Sequence, residues 1–234
     1  MEPRRQQLAR RATVVALAVL VPVLFVGNGL YLITHGWFVR AEYARPGFPD
    51  DEFGMEHAER TRLALVGLRS IQYWHRDGIE RLREARLDVG TTAFDTREVR
   101  HMHDVRRLLG ILLGLHALTL VALVVLAAVE RTRALARRAL RAGAFFTLGL
   151  FVLVGVLLAI EPDWFLTSFH TIFFEGTSWR FGDRDTLRRL FPDLFWDDTA
   201  ALLGAFAFMQ ALAVLWATWW RPRRRAAQEP RIRP

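Results

Sequence analysis

The sequence predicts an all-α membrane protein with four transmembrane helices and both termini in the cytoplasm. A largely helical extracytoplasmic segment joins helices 1 and 2, and an aromatic interfacial loop joins helices 3 and 4. Three observations predict it. Four runs, 12–34, 108–129, 142–160 and 199–220, are almost wholly apolar. Each is close to the roughly 20 residues that cross about 30 Å of hydrocarbon. The arginines are distributed unevenly. Segments 1–11, 130–141 and 221–234 hold four, five and six Arg with one Glu each and sum to +12, whereas segments 35–107 and 161–198 together carry −4. Positive charge beside membrane ends stays in the cytoplasm, so 35–107 and 161–198 are expected outside. Third, the first apolar run has a basic start but is too long for a signal-peptide core and ends in Leu32-Ile33-Thr34-His35 without a small-residue cleavage pattern, so it reads as an anchor.

The net charge of +8 therefore reports topology rather than nucleic-acid binding, and the basic ends can meet anionic lipid headgroups. The chain has no Cys and no Lys. That removes a thiol nucleophile, a disulfide relay, a cysteine zinc site and a Schiff-base lysine.

The elements follow in order. Helix 1 contains Pro22 and Gly27-Asn28-Gly29, small residues that permit close helix approach and a polar side chain that can bond a neighbouring helix. Glu42 to Asp51 is broken by Pro46, Gly47 and Pro49 and reads as a loop. Met55 to Trp74 carries apolar residues at helical spacing, Ile79 to Leu87 is a short helix or surface segment, and Gly90-Thr91-Thr92 is a turn. Asp95 with Glu98 three residues on forms a capping box that starts a helix continuing into helix 2. Asp183 or Asp185 caps a short helix ended at Phe191-Pro192, and Asp197 or Asp198 caps helix 4. The whole reads as a single membrane domain.

Two stretches carry chemistry. In Arg100 to Val105, His101 and Asp104 share a helix face and His103 does not. An Asp beside a His fixes its tautomer and stabilises its cation, although helix-surface charge pairing accounts for the same spacing. In Ser168 to Phe181, four phenylalanines and Trp179 surround His170. Aromatic rings prefer the membrane interface, so this segment is expected to lie there and to carry His170 with it. Both histidines then sit on the outer face at a lipid–water boundary, where histidine bases suit work on a lipid ester. The only serines are Ser70, Ser168 and Ser178, and none stands in a nucleophile elbow, so a nucleophile on the substrate is expected. Zinc on His101, His103, His170 and acids is the rival reading, without HExxH spacing to support it. Haem would need paired intramembrane histidines, and only His116 lies well inside a span.

FHTIFFEGTSWRF followed by DTLRRLFPDLFW, HMHDV upstream and EYARPGFPDDEFG in the first outer loop together resemble the signature of a bacterial four-helix membrane protein family. That family includes the lipoprotein intramolecular transacylase. The resemblance spans nearly the whole chain. It implies transfer of the sn-2 acyl chain of an S-diacylglyceryl-cysteine to that cysteine's own α-amino group, giving a lyso-form lipoprotein. It further implies His170 and His101 as the catalytic pair, one acting as base and the other as donor, with Asp104 orienting His101. Phe173, Phe174, Glu175, Trp179, Arg180 and Asp185 are expected to shape the substrate pocket. The implied partners are diacylglyceryl-modified lipoproteins and membrane lipids, with no cofactor, no metal and no nucleic acid. A monomer in the bacterial cytoplasmic membrane, with its active site on the extracytoplasmic face, is expected. The same histidines would also suit another lipid acyltransferase or a hydrolase. A non-enzymatic lipid- or lipoprotein-binding protein is the remaining alternative.

Overall fold

A computed structural model describes residues 2–174, 176 and 178–226. Nine α-helices follow in chain order: α1 (Glu2–Ile33), α2 (Gly36–Ala44), α3 (His57–Ile71), α4 (Gly78–Glu84), α5 (Thr96–Ala128), α6 (Arg133–Ile160), α7 (Pro162–Phe173), α8 (Thr186–Leu190) and α9 (Asp193–Ala226). A single 3-10 turn, Glu130–Thr132, separates α5 from α6. Among the described residues there is no strand, only an isolated bridge between Arg86 and Thr92 that closes the Gly90 turn. Helices α1, α5, α6 and α9 are each long and apolar enough to cross a membrane. Large apolar side chains remain exposed along them, including Val15, Val121, Val124, Val152, Leu153 and Met209. Outward apolar faces on helices of this length are what hydrocarbon contact requires.

The chain divides into two compact units. The first draws on Met1–Gly29, Leu115–Val156 and Leu203–Pro234. Its core packs Leu17, Val21, Leu24 and Phe25 of α1 with Leu123, Ala144, Ala207 and Ala211. One polar chain runs through it. His116 Nε2 meets Asn28 Oδ1 at 2.8 Å, Asn28 Nδ2 donates to Gln210 Oε1, and Gln210 Nε2 donates to the Phe25 carbonyl at 3.0 Å. Gly27 makes room for the imidazole, because a Cβ there would stand 2.6 Å from its Cδ2. Asn28 thus bonds to neighbouring helices, as its place among glycines predicts.

The second unit draws on Leu30–Gly114 and Leu157–Leu202. Its interior holds Val39, Leu63, Leu82 and Leu190, all without exposure to solvent. The Pro/Gly-broken loop before α3 is tied down rather than free. Arg189 binds Asp51 through two contacts of 2.9 and 2.8 Å, and Asp51 also accepts from the Met55 amide at 2.8 Å. These bonds, the Arg189 hydrogen bond foremost, hold the Asp51 carboxyl below the usual range. Arg60 donates to the Arg189 carbonyl, and Tyr43 donates to the Leu190 carbonyl at 2.6 Å. Burial pushes the Tyr43 phenol up.

Three expectations are corrected. The loop expected from Glu42 begins only after Ala44, because α2 runs to that residue and is held by burying Phe38, Val39 and Tyr43. The segment after α6 begins as a helix, α7, with Pro162 in its first turn, where the missing N–H costs nothing. Helix α9 starts at Asp193, directly after Pro192, rather than at a cap on Asp197 or Asp198. Asp198 instead forms an ion pair with Arg45.

Candidate functional site

Helix α7 aims His170 and fixes its tautomer. His170 Nδ1 lies 2.7 Å from the carbonyl oxygen of Leu166, one turn earlier. A carbonyl only accepts, so Nδ1 holds the proton and neutral His170 keeps its lone pair on Nε2. The helix ends at Phe173, with the Phe174 amide bonded to the His170 carbonyl at 2.8 Å. Gly176 follows at φ +64°, a left-handed conformation that glycine takes without strain. Beyond it, Trp179 stacks on His170 with ring centroids 4.5 Å apart and 22° between planes.

The two histidines share one aromatic neighbour. The buried Phe174 ring lies 5.8 Å from His170 and 5.0 Å from His101. Phe181 closes on His101 at 5.2 Å. Burial, then the proximity of His170, lowers the His101 pKa to about 4, while Asp104 pulls the other way. His101 lies before the apolar run of α5 and is a neutral imidazole at neutral pH. Its Nδ1 is shielded from solvent and has no hydrogen-bond partner, and the same holds for Trp179 Nε1.

The first turns of α5 are anchored as their sequence predicts. Asp95 Oδ1 accepts from the Glu98 amide at 2.7 Å, and Glu98 returns an acceptor to the Asp95 amide at 2.8 Å. The other Glu98 oxygen accepts from the Leu187 amide at 2.7 Å, binding α8 to this helix start. Burial raises the Glu98 pKa against these bonds.

Arg97, which the sequence reading did not single out, binds the loop that carries the aromatics. It donates to the Arg180 carbonyl at 3.0 Å and to Asp185 Oδ2 at 2.6 Å, and its guanidinium lies 5.4 Å over Phe181. Asp185 Oδ2 also accepts from the Gly182 amide at 2.7 Å. The signal for Arg97 was its position four residues before His101, on the same helix face.

The structure thus brings His101, His170, Phe174, Trp179 and Phe181 together. The Arg180 guanidinium lies 5.0 Å over the Trp179 ring, and Asp185 holds the loop through Arg97. Phe173 is exposed and touches Phe169, at 5.0 Å. Asp104 is 4.0 Å from His103 and acts on His101 through its charge. Glu175 lies outside the described residues. Among the described residues no cluster of three His, Asp or Glu side chains is arranged to hold a metal. What the arrangement offers is one imidazole with a defined acceptor nitrogen, a second neutral imidazole, and apolar walls around both.

The sequence model of the lipoprotein intramolecular transacylase family, Lit, matches residues 13–196. An uncharacterised protein of Aquifex aeolicus (strain VF5) is 31% identical over 206 residues, which is 88% of this chain and 93% of that protein. The fold is similar to that of the membrane integral lipoprotein intramolecular transacylase Lit from Bacillus cereus, solved in meso. One such structure has a TM-score of 0.70 at 13% identity and covers 94% of this chain and 99% of that one. A variant of it with a histidine replaced by alanine has a TM-score of 0.67, again at 13% identity, over 97% of this chain and 100% of that one.

Proposed function

The chain belongs to the lipoprotein intramolecular transacylase family, and we propose that His170 and His101 carry its acyl transfer. The reaction moves the sn-2 acyl chain of an S-diacylglyceryl-cysteine to the α-amino group of the same residue. It is an isomerisation, so no co-reactant is needed. The tautomer of His170 is the observation that supports the assignment most. Its Nδ1 is committed to the Leu166 carbonyl, which leaves Nε2 as acceptor.

The steps balance as follows. An α-amino group titrates at about 8, so part of it is neutral at neutral pH. The amine nitrogen attacks the ester carbonyl carbon and forms the C–N bond. The carbonyl π pair moves to oxygen, and His170 Nε2 takes a proton from the nitrogen. His101, neutral and half-buried, donates a hydrogen bond to that oxygen, as a neutral imidazole can. Collapse of the tetrahedral species breaks the bond to the glycerol oxygen, which takes the proton from His170. The products are an amide and a free hydroxyl of unchanged total mass. Because nucleophile and ester belong to one molecule, orientation supplies much of the rate. Asp104 orients His101 by charge. Phe173, Phe174, Trp179, Arg180 and Asp185 shape or hold the pocket, and Glu175 is assigned to substrate binding from its place in the sequence motif alone.

The topology proposed with this chemistry places both termini in the cytoplasm and the histidines on the outer face of the bacterial cytoplasmic membrane. The arginine-rich ends at 1–11, 130–141 and 221–234 support it.

The test is expression in a bacterium whose lipoproteins keep a diacylglyceryl group and a free amine, followed by mass spectrometry of their N-terminal peptides. One acyl chain should move to the amine without a change in mass, and His170→Asn should abolish the shift. A gain of mass would mean an external acyl donor and a loss would mean hydrolysis; either would refute the proposal.

A further inference from the structure

We infer that the indole N–H of Trp179 is a second hydrogen-bond donor to the oxyanion that forms on the ester carbonyl, acting beside His101. The inference rests on the proposed base role of His170 and deepens it.

Indole nitrogen is a donor only and cannot reverse its role to suit a neighbour. Buried donors are nearly always paired, because an unpaired one is destabilising. Trp179 Nε1 is shielded from solvent and has no partner. The ring is not loosely placed, since it stacks on His170 at 4.5 Å and carries Arg180 at 5.0 Å. Its backbone neighbours are also held, because Arg97 grips the Arg180 carbonyl and Asp185. A fixed donor with no acceptor of its own, one ring-stack from the base, is arranged for an acceptor that arrives with the substrate.

His101 Nδ1 is the other solvent-shielded nitrogen of this aromatic box without a partner. His101 and His170 both contact Phe174, and Trp179 lies on His170, so the two unpartnered nitrogens belong to one small site. The substrate must bring one oxygen that gains negative charge beside the base, and that is the ester carbonyl oxygen. Donors placed in advance for such an oxygen, in a water-poor site, act where the transition state differs most from the ground state.

Replacing Trp179 with 3-benzothienylalanine exchanges N–H for sulfur and leaves ring size and stacking nearly intact. With the full-length protein in detergent and a synthetic diacylglyceryl lipopeptide, kcat should fall at least tenfold, toward the ~10²-fold typical of a lost oxyanion donor. KM and the acid limb of the pH profile should stay in place. Trp179→Phe removes the same N–H with a different packing change and should fall in kcat likewise, which covers the case of an analogue that folds poorly. A kcat within tenfold of the parent in the folded variants would overturn the inference. So would a displaced acid limb, because the indole would then act by tuning His170. His170→Asn is measured alongside. If it retained activity, the base assignment would fail by itself while the Trp179 comparison stayed readable.

Discussion

His116 and His101 occur on one helix and differ in a single respect that separates structure from chemistry. His116 belongs to a directed chain of polar groups in which Asn28, Gln210 and the Phe25 carbonyl each find a partner. His101 keeps Nδ1 shielded and unpartnered among aromatic rings, and the nearby Trp179 does the same with Nε1. In an apolar setting an unpaired polar atom is expensive. A satisfied network therefore reads as helix–helix attachment, and an unsatisfied pair of nitrogens beside the proposed base reads as preparation for substrate. The half-buried Asp51–Arg189 pair sides with His116. It is complete within the protein, and it holds the loop before α3 to α8.

Substitutions test this division, beginning with the largest effect. His170→Asn should lower turnover by about 10³-fold, within the range for a lost general base, while leaving the thermal midpoint near that of the parent. Next, Asp51→Ala leaves the half-buried Arg189 without its carboxylate and should cost about 3 kcal/mol of stability, read from thermal unfolding in detergent. His101→Phe preserves ring contacts with Phe174 and Phe181 but removes the donor, and single-turnover rates should drop about 10²-fold. His116→Leu should do the reverse. Its expected loss is ~1 kcal/mol of stability, with the rate changed less than about threefold. A large rate loss there would break the comparison.

A further effect is on pH dependence. Burial lowers His101 to about 4, below the ordinary value of about 6.5. Between those values the unfolded chain binds a proton that the folded chain refuses, so stability falls as pH falls through that window. The thermal midpoint of the parent should therefore decline more steeply from pH 6.5 to 4 than that of His101→Phe, which lacks the group.

Much of the fold was legible because hydrocarbon imposes long apolar runs, and the Asp95–Glu98 cap was legible because its three-residue spacing has a mechanism. The end of α2 at Ala44 was not legible, because Pro46 and Gly47 mark only the break that follows, while the helix is held by the buried face of Phe38, Val39 and Tyr43. Pro192 was read as the end of one helix when it also begins another, at Asp193. In the site, both histidines could be named from their motifs. That they meet at Phe174 could not be read from spacing, since 68 residues lie between them. The unpartnered nitrogens were invisible for the same reason. Satisfaction of a donor is a property of three-dimensional neighbours, and only the residue type is written in the chain.

The most direct measurement follows acyl migration with purified protein and a lipopeptide labelled isotopically in its sn-2 chain. The label should appear on the α-amino nitrogen by fragment mass, at constant total mass, for the parent and for His116→Leu, and should remain on glycerol for His170→Asn. Migration by His170→Asn at the parent's rate, or its disappearance in a folded His116→Leu variant, would contradict the division between a satisfied histidine that holds helices and an aromatic-walled pair that does the chemistry.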